Sequence, residues 1–366
     1  MSEPVGAAMR ALRWHARGDL RVETVPTPRP RAGEALIRVE RVGLCGTDVE
    51  EYRTGPHDIP VDAPHPVSGA MAPMIPGHEV VGVVVACADR PDLVGRRVIP
   101  DVVDGCGDCW WCRHHEEGLC PRLVVRGQTG DGGLAEFMLC RSRTMVPVPP
   151  DVPGDVAAFA EPVAVATRAV AKAGDLRGRV AAVVGTGVVG NLIAQVCISE
   201  GATVVAIDPA AHRRALAAEV GAVAASPDDG PAEVGRVSGG RGADVVFECA
   251  GRPDSFDAGF RLARRGGSII LVGINDSGPA FPWRQAVLHE LRILGTAAHM
   301  WDTDVTAAVH ALADGTVQVG ALLSKTIALE EVPAMLHTLS EPNTLAKVLV
   351  DPGATSALRS EDKEGR

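Results

Sequence analysis

Aromatic side chains are scarce in this chain: five tryptophans, six phenylalanines and one tyrosine make up 3% of 366 residues, so each tryptophan is informative. Basic charge is not in excess either. Thirty-six Lys and Arg stand against 46 Asp and Glu, and a formal net charge of -10 gives no reason to expect nucleic acid or an anionic membrane as partner. No segment is long and apolar enough to span a bilayer, and the opening MSEPVGAAMRALRW has no apolar core of a leader peptide, so the expectation is a cytoplasmic protein. No internal repeat is evident. The nine cysteines are an odd number with four in one short cluster, which points to metal in a reducing compartment and not to disulfides. The chain is 46% hydrophobic, enough for two domains with cores of their own.

The stretch from Val180 to Asp208, VAAVVGTGVVGNLIAQVCISEGATVVAID, carries the clearest chemistry. Val180 to Val184 is an apolar run of the kind buried on both faces of a parallel sheet. Gly185, Gly187 and Gly190 follow in GxGxxG spacing, then a helix to about Glu200 and a second apolar run, Thr203 to Ile207, that ends on Asp208. The first glycine permits a tight turn, the second lets backbone approach a pyrophosphate, and the third lets helix pack closely on strand. The helix start, at Val188 and Val189, then presents unpaired N–H groups and a positive dipole end to the phosphates. Asp208 is spaced to accept hydrogen bonds from an adenosine ribose diol and to repel a 2'-phosphate. NAD is therefore expected over NADP, although Arg213 and Arg214 stand close enough to bear on the choice. A lone GxGxxG can be a packing turn; here strand, helix, strand and acid fall in order.

Cys106, Cys109, Cys112 and Cys120 lie in CGDCWWCRHHEEGLC. Four thiolates at these gaps can close around one tetrahedral zinc with no position left for water, which makes the site structural. His114 and His115 are then surplus, and Trp110 and Trp111 are candidates for packing on a neighbouring subunit or domain. A second donor set is dispersed. Cys45, in GLCGTDVEEY, reads alone as a small buried hydrophobe. With His78 and Glu79 of Gly77-His78-Glu79 it offers thiolate, imidazole and carboxylate, the donors of a catalytic zinc site with one open position. Glu161, at the head of a helical pattern, either serves the helix dipole or is a fourth group at that metal.

Residues 11 to about 49 read as a small β domain, with a first hairpin from Arg10 to Val25. The polar, proline-rich segment 53–76 is either a loop overhanging the substrate or a mobile surface insertion. A proline-rich boundary at 146–153 divides the chain into a first domain, 1–155, with its cysteine lobe at about 104–122, and a βα-alternating domain, 156–298. Residues 299–352 return to the first domain, and 353–366 read as a disordered tail. Cys87, Cys140, Cys197 and Cys249 sit in apolar runs and read as core.

Taken in order, Cys45-Gly46-Thr47-Asp48, Gly77-His78-Glu79 with Gly82, the four-cysteine lobe, Ala160-Glu161-Pro162 and the dinucleotide turn resemble the zinc-containing medium-chain dehydrogenase/reductase family, the alcohol and polyol dehydrogenases. The resemblance covers residues 9 to 352. It implies an α/β fold in which a GroES-like β-rich catalytic domain is built from both chain ends and a doubly wound Rossmann domain is inserted between them, with the active site in the cleft. It implies one structural and one catalytic zinc, the latter held by Cys45 and His78 with Glu79 or Glu161 completing the shell, and Asp48 orienting His78. The Glu-Pro pattern is similar to the sorbitol and threonine dehydrogenase branches. That implies NAD-dependent oxidation of a secondary alcohol, a polyol, sugar or cyclitol derivative, with a threonine-type amino alcohol or a simple alcohol as the alternative. A non-catalytic NAD-binding protein or a zinc-free reductase is disfavoured, because every ligand position is filled. Thr47 is similar to the hydroxyl that passes the proton outward, and Glu50 stands where many relatives carry a histidine, so a carboxylate or water takes the proton next. Val272, Gly273 and Ile274, and Thr296 to Ala298, are implied to lie by the nicotinamide. His299, Met300 and Trp301 then border the substrate or form an ordinary strand exit. The implied partners are a small alcohol or ketone and further copies of the chain, in a homodimer or homotetramer paired edge to edge through Rossmann sheets.

Overall fold

Burial patterns separate two kinds of strand in this chain. The structure, a computed structural model, describes residues 5–275 and 280–355, so most of the expected tail lies outside the described residues. Two units form: the described residues up to Glu161 with Met300–Val309 and those from Leu323 onward, and Pro162–His299 with His310–Leu322.

In the first unit β1 (Ala8–Ala16) and β2 (Asp19–Pro26) make the expected hairpin. β3 (Glu34–Gly43) leads into helix α1 (Gly46–Thr54), and β4 (Glu79–Cys87) returns antiparallel to β3 and on to β5 (Arg97–Pro100). The short strands β6 (Val103–Asp104) and β7 (Val124–Val125) pair and close the base of the cysteine lobe, which holds the single-turn helix α2 (Trp110–Arg113). β8 (Phe137–Arg141) pairs with β3 and β9 (Met145–Pro147) with β5. A helical turn, α3 (Gly154–Ala157), precedes α4 (Ala160–Ala171).

The second unit is a six-stranded parallel sheet. β10 (Val180–Val184), α5 (Val188–Ser199), β11 (Thr203–Ile207), β12 (Val223–Ala225), β13 (Ala243–Glu248), β14 (Ala263–Leu271) and β15 (Arg292–Gly295) take the sheet order β12-β11-β10-β13-β14-β15. β10 is central and buried at every position, which is why its sequence is continuously apolar. The chain then returns with β16 (Leu323–Ala328) and β17 (Lys347–Asp351), and the first unit's seven-stranded sheet runs β16-β17-β3-β4-β5-β9 with β8 beside β3.

Two expectations need adjustment. The stretch from Ile293 to Ala298 reads from the sequence as the last strand of this sheet, yet β15 stops at Gly295, and at Ala298 the backbone turns through a positive φ of 51°. The return at 299 is also interrupted: residues 310–322 belong to the second unit, where the Gln195 side chain of α5 donates to the Gln318 carbonyl at 2.9 Å and accepts its N–H at 2.7 Å.

Candidate metal and nucleotide sites

In the cysteine lobe the four Sγ atoms of Cys106, Cys109, Cys112 and Cys120 all lie within 4.8 Å of one another. Cys109 is 3.4 Å from Cys112 and 3.7 Å from Cys120, and Cys106 is 3.9 Å from Cys112. Thiolates about 2.3 Å from a tetrahedral zinc stand about 3.8 Å apart, so the donors fit the ion in number, chemistry and spacing. The lobe is also prepared for thiolates. The Cys112 N–H donates to Cys109 Sγ at 3.5 Å and pulls that thiol down to about 7. Arg122 reaches Cys106 Sγ at 3.1 Å. His114 is occupied otherwise, stacked on Trp110 with its Nδ1 2.6 Å from the Trp110 carbonyl. His115 faces Asp302 at 3.4 Å.

The dispersed set also converges. β3 ends at Gly43 and delivers Cys45 to the N-cap of α1, where its N–H donates to Asp48 Oδ2 at 2.9 Å. His78 ends the loop before β4, and Glu79 begins that strand opposite Gly43. Donor atoms of Cys45, His78 and Glu79 fall within 4.8 Å of one another, with His78 and Glu79 buried. Burial opposes a charge on His78, yet the negative charges of Cys45 and Asp48 hold its pKa well above the usual value. A buried cluster that draws a proton so strongly suits a cation, and its thiolate, imidazole and carboxylate donors suit zinc. Thr47 Oγ1 is 3.5 Å from His78 Nε2. Asp48 Oδ1 stands 3.9 Å from His78 Nδ1, beyond hydrogen-bond reach, and that nitrogen has no hydrogen-bond partner among the described residues. Glu161 acts on His78 and Glu79 through its charge from the head of α4.

Two members of this region escaped sequence reasoning. Lys347 of β17 is 4% exposed, with Nζ 2.6 Å from both Glu79 oxygens and 3.0 Å from the Leu44 carbonyl. Burial works against the ammonium, but Glu79 and the further negative charge of Cys45 outweigh it and raise the Lys347 pKa above normal. The signal was a single lysine in an otherwise apolar strand. Glu51, next to the exposed Glu50, is buried and accepts the backbone N–H groups of His57, Asp58 and Ile59. It pins the start of the 53–76 segment, whose far end is anchored by buried Met74 and Ile75.

In the second unit the turn after β10 has Gly185 at φ 87°, a conformation that favours glycine. A Cβ at Gly190 would overlap the Gly185 carbonyl oxygen, so the third glycine brings α5 onto the turn. Gly187 is the N-cap of α5, which opens with Val188 and Val189. Asp208, 1% exposed, accepts from the N–H of Thr186 and of Ala210, each at 2.8 Å, and each oxygen keeps a further lone pair. A cavity of about 580 Å³ is lined by Gly185, Gly187, Asp208 and Arg213. Cys249 also lines it and is only half-buried, which corrects its assignment to the core. Past β14, Val272 and Gly273 both donate to the Glu248 carbonyl at the end of β13, and Ile274 is 75% exposed. Thr296 donates its N–H to the Leu271 carbonyl while its buried hydroxyl has no partner among the described residues. His299 and Met300 are buried.

Two family descriptions match the chain: an alcohol dehydrogenase GroES-like domain over residues 31–150 and a zinc-binding dehydrogenase over residues 188–314. Among curated proteins, the (R,R)-butanediol dehydrogenase of Bacillus subtilis (strain 168) is 30% identical over 356 residues, covering 94% of this chain and all of that one. The erythritol/L-threitol dehydrogenase of Mycolicibacterium smegmatis is 30% identical over 367 residues, covering 96% of this chain and all of that protein. Among solved structures, a zinc-binding dehydrogenase of Sinorhizobium meliloti 1021 bound to NADP superposes with a TM-score of 0.84 at 31% identity, over 95% of this chain and 100% of that one. With both zinc-type donor clusters, the dinucleotide turn and this full-length similarity in hand, the chain belongs to the zinc-containing medium-chain dehydrogenase/reductase family.

Proposed function

We propose that this chain transfers hydride between NAD and a secondary alcohol or its ketone, the substrate being a polyol, sugar or cyclitol derivative. The observation that carries the reading is the convergence of Cys45, His78 and Glu79 donors in a chain that also holds the dinucleotide turn. Cys45, His78 and one of Glu79 and Glu161 would hold the catalytic metal, and Cys106, Cys109, Cys112 and Cys120 the structural one. Bound at the first site, zinc supplies Lewis-acid polarisation of the substrate oxygen. Thr47, whose Oγ1 is 3.5 Å from His78 Nε2, would accept the alcohol proton as its own hydroxyl proton passes on, either to the exposed Glu50 carboxylate or to water. If Glu50→Gln leaves the pH profile of kcat unchanged, water is the acceptor. Gly185, Gly187, Val188, Val189 and Gly190 form the pyrophosphate turn, and Val272, Gly273, Ile274, Thr296 and Ala298 border the nicotinamide.

Asp208 supports NAD over NADP, since a 2'-phosphate would meet its carboxylate, and Arg213 beside it would pack on the adenosine. Comparing KM for the two cofactors tests this, and preference for NADP would overturn it. The similarity to a butanediol dehydrogenase and an erythritol/L-threitol dehydrogenase supports vicinal diols and polyols. A panel of diols, cyclitols, amino alcohols and primary alcohols decides, and turnover of primary alcohols alone would refute the polyol reading. The chain acts as a cytoplasmic homodimer or homotetramer. Among the described residues β15 ends the sheet with an unpaired edge, and Trp283, Val287 and Leu288 are more than half exposed on the helix just before it. A monomer by light scattering would remove this part of the reading.

A further inference from the structure

β13 closes an apolar run, Val245 to Phe247, on Glu248, whose side chain is 3% exposed. Its Oε1 accepts three hydrogen bonds, from the Ala250 and Gly251 N–H groups at 2.9 Å each and from the Ser255 hydroxyl at 2.6 Å. Ser255 is buried in the first turn of the helix Pro253–Leu262 and accepts the Arg252 N–H at 3.1 Å. The carboxylate thereby holds residues 249–251 in one turn between strand and helix. The main chain of Glu248 acts on a second turn, its carbonyl accepting the N–H groups of Val272 at 2.8 Å and Gly273 at 2.9 Å.

The 249–251 turn lies between two others. A Cβ at Gly185 would come within 2.9 Å of Ala250 Cβ, so the glycine turn after β10 rests on it from one side. On the other side Gly251, at φ 63°, meets residues 273–275. A Cβ at Gly251 would overlap the Ile274 carbonyl oxygen, one at Gly273 would overlap the Gly251 nitrogen, and Asn275 Nδ2 donates to the Gly251 carbonyl at 2.7 Å. Cys249, Ala250 and Ser255 also line the 580 Å³ cavity beside Gly185 and Asp208. Turns packed this closely, backbone on backbone, cannot shift independently.

We propose that Glu248 is a positioning residue for hydride transfer: by fixing the 249–251 turn it sets the spacing between the glycine turn at 185–190 and residues 272–274. This rests on the reading above, in which the first of these holds the pyrophosphate of NAD and the second borders its nicotinamide. The consequence is that a carboxylate outside the metal site governs both cofactor affinity and the rate at saturating cofactor.

The test compares the NADH Kd by fluorescence titration, kcat at saturating NAD and thermal stability. Glu248→Ala strands two N–H groups and a hydroxyl, and the NADH Kd is expected to rise by more than about tenfold. At saturating NAD, kcat should also fall by more than about tenfold, because a displacement of about 1 Å can cost about 100-fold. Glu248→Gln keeps a carbonyl oxygen able to accept from the same donors, so both quantities should stay within about threefold of the unmodified chain. Asp244→Asn, at the other end of β13, is the control for stability alone: it lowers the melting temperature and leaves both quantities unchanged. The assignment is overturned if Glu248→Ala binds NADH and turns over at saturating NAD as the unmodified chain does, or if Glu248→Gln is impaired as severely as Glu248→Ala. Should Glu248→Ala fail to fold, Glu248→Asp, whose carboxylate is withdrawn by one methylene, should show both losses at about threefold or more, and its parity with the unmodified chain would overturn the assignment. An unmodified chain that binds no NADH would instead overturn the nucleotide reading, and the assignment with it.

Discussion

Lys347→Met in the metal-free protein removes the cation and leaves Glu79, 1% exposed, as a buried carboxylate without its counter-charge. Two unit charges about 3 Å apart attract by roughly 5 kcal/mol at an effective dielectric near 20. Removing one partner of such a buried pair costs about 3–5 kcal/mol, because the remaining charge keeps its desolvation penalty. The pair ties β17 to β4 across Gly43, so the loss is read locally, as hydrogen exchange of the Val348, Leu349 and Val350 amides after chelation. Those amides are expected to exchange faster by roughly two to three and a half orders of magnitude. Replacing both partners, Lys347→Met with Glu79→Leu, removes the stranded charge and returns exchange to within about tenfold of the unmodified chain. Exchange unchanged in the single variant, or exchange in the double variant as fast as in the single or faster, would refute the claim that this pair fastens the C-terminal strand to the site.

Three further outcomes follow from the same geometry. Gly190→Ala puts a Cβ into the Gly185 carbonyl and is expected to cost about 1–3 kcal/mol and to abolish NAD binding, measured by fluorescence titration of NADH, while both metals remain bound. Cys109→Ser removes one donor from the lobe, so zinc content should fall by one per chain and the segment 104–122 should become sensitive to proteases; two zincs retained would show that the lobe does not hold its ion through all four cysteines. Partial burial opposes the Asp244 carboxylate, but the Val180 N–H at 2.9 Å and the Arg264 guanidinium at 2.6 Å hold its pKa below the usual range. Its folded pKa lies below its unfolded value near 3.9, so its contribution is complete above that value and vanishes as pH falls through the folded pKa. Asp244→Asn should therefore lower stability by roughly 1.5–3 kcal/mol at neutral pH and converge on the unmodified chain in acid; an equal deficit at all pH values would contradict the assignment.

What the sequence made legible depended on how locally each element is determined. β10 and β11 have the bounds their apolar runs predict, Val180–Val184 and Thr203–Ile207, because a strand buried on both faces must be apolar throughout. The cysteine lobe was legible because its donors lie within fifteen residues. α1 was harder. It buries Asp48 and Glu51 in place of apolar side chains, so no amphipathic stripe announces its inner face, and attention fell on Glu50, which is exposed. Lys347 was missed because its partner is 268 residues away, and only the register of β17 on β3 and of β3 on β4 brings the two together. The end of β15 was overextended because alanines follow Gly295 up to Ala298, where a positive φ turns the backbone. Local pattern thus located the nucleotide turn and the metal donors, while the charge that organises those donors came from strand order alone.

The most direct test of the account is metal content per chain measured beside NAD reduction, on one preparation, before chelation, after it and after zinc is returned. Two zincs, with polyol-dependent NAD reduction lost on removal of the second and restored by zinc, is the predicted result. One zinc in the active protein, or turnover that survives loss of the metal at Cys45 and His78, would contradict the central claim.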